Sequence, residues 1–236
     1  MTPREITLRA TIPLVINVFN QHHYLQRMVT QFSENGFRNI VILDNNSSYP
    51  PLLAYYQELA AQRTANVIYY NANRGPHYFF LHDLHTHLFE STPFLYSDPD
   101  LAWTELSPSF LSTLFELSHR HKIFKVGCAL TLPTDETLKP DFPLFNFNNR
   151  TYTVPQWEAQ FWQNPLEPNV YSAPIDTTMH LFNPAYFVQG HALITGARVA
   201  GPGMEAIHLP WFRSDTCPDE ERAFYRSLTK HSSWQT

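Results

Sequence analysis

The chain has 236 residues, of which 43% are hydrophobic and only 16% charged, too apolar and too weakly charged for an intrinsically disordered chain. Lys and Arg number 16 against 21 Asp and Glu, so the formal charge is −5 and no basic excess exists to carry a nucleic-acid footprint. The two cysteines, Cys128 and Cys217, make no disulfide framework and point to a reducing, cytoplasmic setting. Residues Met1 to Thr11 lack the apolar run of a signal peptide. The longest apolar stretches, such as Ile12 to Phe19 with Pro13 and Asn17 inside it, fall far below a membrane span; peripheral membrane contact stays open.

The N-terminal half alternates strand and helix signals. Leu14 to Phe19 reads as a buried strand, and Tyr24 to Phe32 as a helix that Asn35-Gly36 ends. Asn39 to Leu43 is a second strand, followed by a helix over Leu52 to Ala61 with Pro50 and Pro51 at its entry. Val67 to Tyr70 is a third strand, Tyr78 to Phe89 a single helix, and Phe94 to Tyr96 a fourth strand. Short apolar strands alternating with helices predict a mostly parallel, doubly wound α/β sheet covered on both faces. The second half is less regular. It reads as a helix over Ser107 to His121 and a strand over Lys125 to Leu130. An aromatic, proline-rich loop follows from Pro140 to Arg150, then a short helix over Gln156 to Trp162. Mixed strands over Val170 to Ala173, Thr178 to Phe182 and His191 to Val199 precede an amphipathic helix over Pro218 to Lys230. No linker separates the halves, so one domain over 1–236 is expected.

Ligands of an open parallel sheet bind beyond the carboxyl ends of its strands. The polar residues there are Asn20, Asp44, Asn73 with Arg74, and Asp98 with Asp100. Such a set suits a nucleotide: a carboxylate for base or ribose, a guanidinium for phosphate, and carboxylates for a metal on the diphosphate. Turn chemistry alone also places Asn and Asp at strand ends. In Asp98-Pro99-Asp100 the proline fixes one torsion between two carboxylates, which can then converge on a hard cation.

These segments carry a resemblance. Ile12 to Asn20, Ile42-Leu43-Asp44-Asn45-Asn46-Ser47-Ser48, Asn71-Ala72-Asn73-Arg74-Gly75 and Phe94-Leu95-Tyr96-Ser97-Asp98-Pro99-Asp100 resemble the successive motifs of GT-A-fold glycosyltransferases, especially the family-two type, including its Asp-x-Asp motif. The likeness is clear over about 12–130 and loose beyond. It implies a GT-A (Rossmann-like) sheet with a nucleotide-binding half over about 12–130 and an acceptor-side half over 131–236. It further implies transfer of a sugar from a nucleotide-sugar donor to a glycan, lipid-linked or protein hydroxyl, as in polysaccharide biosynthesis, with inversion favoured. Asp44 and Arg74 would meet the nucleotide, and Asp98 and Asp100 the ribose and a Mn2+ or Mg2+ ion. Such enzymes need a later carboxylate as general base. The Glu-Asp pair that often supplies it is absent, and Asp176 stands in, with Glu205 next in line. His208 matches the C-terminal histidine that such enzymes return to the metal. Gly201-Pro202-Gly203 reads as a segment able to close over substrate, or as a tight turn.

Other features read more plainly. His82 and His85 share a helix face near His77 and His87; a zinc site there is conceivable, but a solvated helix face is the simpler reading. Trp157, Trp162, Trp211 and the aromatics between Phe142 and Phe147 either stack on sugar rings or pack in the core. The rival functions are a nucleotidyltransferase, for which no glycine-rich basic signature follows the first strand, and a nucleotide-sugar-binding module without turnover.

Overall fold

A computed structural model describes residues 1–140, 142–188 and 192–229. Its strands are β1 (Leu14–Val18), β2 (Ile40–Asp44), β3 (Ala65–Tyr69), β4 (Phe94–Ser97), β5 (Leu101–Ala102), β6 (Lys125–Cys128), β7 (Phe145–Phe147), β8 (Arg150–Tyr152), β9 (Pro165–Glu167), β10 (Val170–Ser172), β11 (His180–Phe182), β12 (Ala197–Val199) and β13 (Ile207–His208). The helices are α1 (Pro3–Thr11), α2 (His22–Glu34), α3 (Pro50–Gln62), α4 (Tyr78–Leu81), α5 (Leu84–Phe89), α6 (Phe110–His121), α7 (Val154–Ala159) and α8 (Asp219–Leu228).

One nine-stranded sheet in the order β3-β2-β1-β4-β11-β6-β12-β10-β9 runs through both halves of the chain. β3, β2, β1 and β4 are mutually parallel, whereas β11 enters antiparallel between β4 and β6. The predicted parallel first half and mixed second half are both present. Alternate residues of β1 feed two cores: Leu14, Ile16 and Val18 pack on one face and Val15 on the other. That two-sided burial is why β1, apart from Asn17, and β2 up to Leu43 are apolar runs. α2 buries Tyr24, Leu25, Met28, Val29 and Phe32, a stripe at helical spacing. It ends at Asn35, followed by Gly36 with φ +89°.

Four elements differ from expectation. The helix expected over Tyr78 to Phe89 is two helices, broken at Asp83, whose φ is +52°. A straight helix would set His85 about 120° away around the axis from Phe79. The break turns His85 inward, where it packs with Phe79, Phe80 and Phe182. The stretch expected as loop over Pro140 to Arg150 contains β7, which pairs with β8 as a hairpin. Asn148 and Asn149 both take left-handed φ, the conformation a two-residue hairpin turn demands. β12 begins only at Ala197, and the expected start of that strand at His191 lies outside the described residues, as does Lys230 at the expected end of α8.

The fourth difference is α1, a helix no apolar stripe announces. Its packing centres on an ion pair: Glu5 accepts from Arg9 Nε at 2.8 Å, and both side chains are buried. The Glu5 carboxylate also caps α6, accepting from Leu111 N, Ser112 N and Ser112 Oγ. Burial raises the Glu5 pKa, but the bonds from Arg9 and Ser112 outweigh it and leave the carboxyl below its ordinary value. Glu5→Gln should therefore lose about 1.5–3 kcal/mol of stability at neutral pH, the scale of a hydrogen bond to a charged group. The loss is read from urea denaturation. Because the folded pKa is depressed, this contribution should fade as pH falls through the carboxylate range, shrinking the difference between variant and wild type.

Candidate functional site

A cleft of about 1000 Å³ opens over the carboxyl ends of the parallel strands. Its wall includes Asn17, Asn45, Asn73, His77, Asp98, Asp100, Lys125, Asp176 and His208. Thus Asn73, Asp98, Asp100, Asp176 and His208, all singled out in the sequence, meet in one place although 135 residues separate Asn73 from His208.

Backbone pairing explains the convergence. After β4 the chain turns at Asp98-Pro99-Asp100, and the following strand β5 pairs antiparallel with β13, setting His208 opposite Leu101. Leu209 N donates to the carbonyl of Asp100 at 2.9 Å, and His208 Nε2 lies 3.5 Å from Asp100 Oδ2. Asp98 N donates to the carbonyl of Thr177 at 3.1 Å, which ties the Asp176 segment to the same turn. Asp176 Oδ1 pairs with His77 Nε2 at 2.5 Å, joining the loop after β3 to the second half of the chain.

The electrostatics of the site are tense. Burial, then the neighbouring Asp100 and Asp176 charges, push the Asp98 pKa well up, although a bond from Thr177 opposes them. Burial holds the His208 pKa below its ordinary value, favouring the neutral imidazole that can ligate a metal. Asp100 Oδ1 and His208 Nδ1 are buried with no hydrogen-bond partner from another residue. Asp98, Asp100 and the neutral His208 imidazole, with these orphaned atoms, are donors of the kind a divalent cation takes. Among the described residues, however, no three His, Cys, Asp or Glu side chains gather closely enough to hold a metal ion by themselves. A cation there would have to draw the rest of its shell from phosphate oxygens and water.

Asn20, Asp44 and Arg74 stand outside the cleft wall. Asn20 Oδ1 accepts from Ser48 N and Tyr49 N, which pins the loop after β2 to the end of β1. Asp44 accepts from Tyr56 Oη at 2.7 Å and Ser47 N at 3.0 Å and is buried. Arg74 is exposed, bonded to Asn71 Oδ1 and stacked over Tyr78. Glu205 accepts from Gly201 N and is absent from the wall. Gly201-Pro202-Gly203 is a tight turn: Met204 N donates to Gly201 O, and a Cβ on Gly203 would lie 2.4 Å from Ser107 N. The histidine cluster divides. His82 and His87 are exposed as expected, His85 is core and His77 faces the cleft. Trp157, Trp211, Phe142 and Phe145 line the cleft, while Trp162 packs on Tyr171.

Several wall residues were not foreseen. Asn45 Nδ2 donates to Asn17 Oδ1 at 2.6 Å, and Asn45 Oδ1 accepts from Arg74 N. The signal for Asn17 is a lone amide inside an apolar strand. On α8, Arg222 and Arg226 lie one turn apart and both reach the cleft, as does Lys139. Lys139 and Arg222 share the buried Asp215 carboxylate, at 2.5 and 3.1 Å, with Tyr24 Oη as a third donor.

Lys125, at the head of β6, is 2% exposed. Its Nζ reaches the carbonyls of Ile175 and Asp176 and lies over the Phe80 ring. Burial lowers its pKa to about 8. Because that value lies below the ordinary 10.5, the buried charge weakens the fold fully below pH 8, and the penalty fades as pH rises toward 10.5. Relative to Lys125→Met, the wild type should gain up to about 3 kcal/mol over that interval, measured by denaturant unfolding at stepped pH. A buried lysine in the wall of a cleft is a candidate functional group.

No protein-family profile matches the sequence, and no curated protein matches it at a significant level. Solved structures do match. Mannosyltransferase PcManGT from Pyrobaculum calidifontis, in complex with GDP-Man and Mn2+, aligns over 98% of this chain and 68% of its own, with 12% identity and a TM-score of 0.53. GalNAc-T7 with UDP, GalNAc and Mn2+ aligns over 85% of this chain at 13% identity and a TM-score of 0.51. This chain spans only 44% of that second protein. At such identity the likeness is one of fold: the chain has a GT-A-type α/β architecture. Among the described residues no helix is long and apolar enough to cross a membrane.

Proposed function

We propose that this protein is a glycosyltransferase that moves a sugar from a nucleotide-sugar donor to an acceptor hydroxyl. The observation that carries the reading is the meeting of Asp98, Asp100, His208 and Asp176 in one cleft at the carboxyl ends of a GT-A-type sheet. Residues of about 12–130 form the donor side. Asn17, Asn45 and Asn73 offer amides to base and ribose, with Asn20 and Asp44 shaping the loops that hold them. Lys139, Arg222 and Arg226 set positive charge beside the diphosphate. A divalent cation, Mn2+ or Mg2+, held by Asp98, Asp100 and His208, would supply charge neutralisation of the diphosphate leaving group.

Asp176 accepts the acceptor's proton as its oxygen attacks the anomeric carbon. Its Oδ1 is held by His77, and its side chain stays half exposed, open to an incoming hydroxyl. A single displacement with one such base inverts the anomeric centre. The two cysteines, buried and unpaired, suit a reducing, cytoplasmic setting. The reading is tested by a thermal-shift series of nucleoside diphosphates with and without Mn2+. A ligand of the native state raises the midpoint, so at least one nucleotide should do so only with the metal. No shift across the series contradicts donor binding.

A further inference from the structure

We propose that the acceptor carries its hydroxyl next to an apolar aglycone, an alkyl or aryl group, and that this group sits in the part of the cleft beside Asp176. The proposal rests on the glycosyltransferase reading and names the substrate class of the same site.

The cleft is large for one ligand; pockets for small molecules span about 300–1000 Å³. Beyond the Asp98–Asp100 turn its wall changes character. Pro174, Phe145, Trp157, Phe161, Leu193 and Ile194 line it. This patch is continuous with the proposed base. Pro174 precedes Asp176 by two residues, and Ile175 N donates to Ile194 O at 2.7 Å.

The rings there do not form one flat platform. Trp157 meets Phe145 at 4.2 Å and 57°, Phe147 at 5.4 Å and 65°, and Phe161 at 6.0 Å and 87°. A pyranose stacks one CH face on a ring, but its equatorial hydroxyls still need polar partners at the edge. Among the described residues, the two charged groups that back these rings are spent on each other. Arg198 bonds Glu158 Oε2 and the Pro174 carbonyl, both at 2.9 Å, and its guanidinium lies over Phe161 at 4.1 Å. A hydroxyl set against this closed ion pair and these ring faces would go unpaired, whereas an alkyl or aryl group loses no hydrogen bond there. The apolar surface also continues to the outside: Leu144, Phe147 and Ile194 are 57%, 48% and 48% exposed. A chain leaving the corner would pass over these three side chains.

The test is calorimetric binding to the full protein, with octyl β-glucoside below its micellar concentration as probe and glucose as the matched sugar without the chain. Octyl glucoside should bind about tenfold or more tighter than glucose, from burial of its methylenes. Trp157→Ala should remove most of that difference, and Ile194→Ser, on an exposed residue that tolerates polarity, should reduce it. Ile194→Ser answers the question if the Trp157 variant does not fold. Equal affinity for the two probes, or an advantage of the octyl chain that neither variant moves, overturns the proposal. Titration of GDP and UDP with Mn2+ on the same sample separates the two readings. Octyl glucoside binding with neither these two nor any other nucleoside diphosphate of the thermal-shift series bound would leave the apolar site standing and remove the glycosyltransferase.

Discussion

Asp176→Asn should lower turnover by about 10²–10⁴-fold, the usual contribution of a positioned general base, while nucleotide affinity stays near that of the wild type. The amide keeps the size of the carboxylate and can still accept from His77 through its oxygen. What it cannot do is take a proton from an acceptor hydroxyl. The interaction removed is one realised only in the transition state, so kcat and kcat/KM should fall together. The link between Asp98 N and the Thr177 carbonyl is backbone and survives the substitution, so the metal-side geometry is kept. Steady-state kinetics beside calorimetric nucleotide binding check both halves. A variant with unchanged kcat would move the base to another group, and one that loses nucleotide binding would make Asp176 a structural residue.

The second large effect is expected from Asp100→Ala. Asp98 is buried beside Asp100, and their mutual repulsion is part of what raises the Asp98 pKa. A cation relieves that repulsion, so metal and nucleotide binding should be coupled in the wild type. Removing the Asp100 carboxylate deletes one charged ligand, and metal-dependent nucleotide affinity should weaken by about 1.5–3 kcal/mol, ~10- to 100-fold. Nucleotide binding measured without metal should change far less. Calorimetry with and without Mn2+ separates the two. The fold should hold, because Leu209 N bonds the Asp100 backbone carbonyl rather than its side chain. Equal weakening in both conditions would show that Asp100 touches the nucleotide directly.

The parallel half was legible because burial on both faces leaves no alternation to misread: Ile40 to Leu43 are apolar throughout, and Leu14 to Val18 are apolar but for Asn17. The Asp98–Asp100 turn was legible for the same reason, since a proline between two carboxylates after such a run marks a strand end. Asn20 and Asp44 show where this reasoning stops. A polar residue at a strand end can face a ligand or hold its neighbours, and here both are bonded to Ser48, Tyr49 and Tyr56 and stand outside the cleft wall. The second half was harder because its strands, β6 apart, are two or three residues long and several take partners far away in sequence. β13 finds β5 across about a hundred residues, and that pairing delivers His208 to Asp100. His77 was hidden among its neighbours, because its partner Asp176 lies about a hundred residues away, while the break at Asp83 turns His85 inward. Lys125 was hidden for a different reason: lysine at a strand head normally reaches water, and here α4 covers it with Phe80.

The central claim, transfer from a nucleotide sugar, is tested most directly by release of nucleoside diphosphate from a panel of nucleotide sugars, with and without Mn2+. At least one donor should be turned over, the metal should raise the rate, and Asp176→Asn should turn over the same donor about 10²–10⁴-fold more slowly. Failure of the wild type to bind or consume any nucleotide sugar in the panel, with metal present, would contradict it.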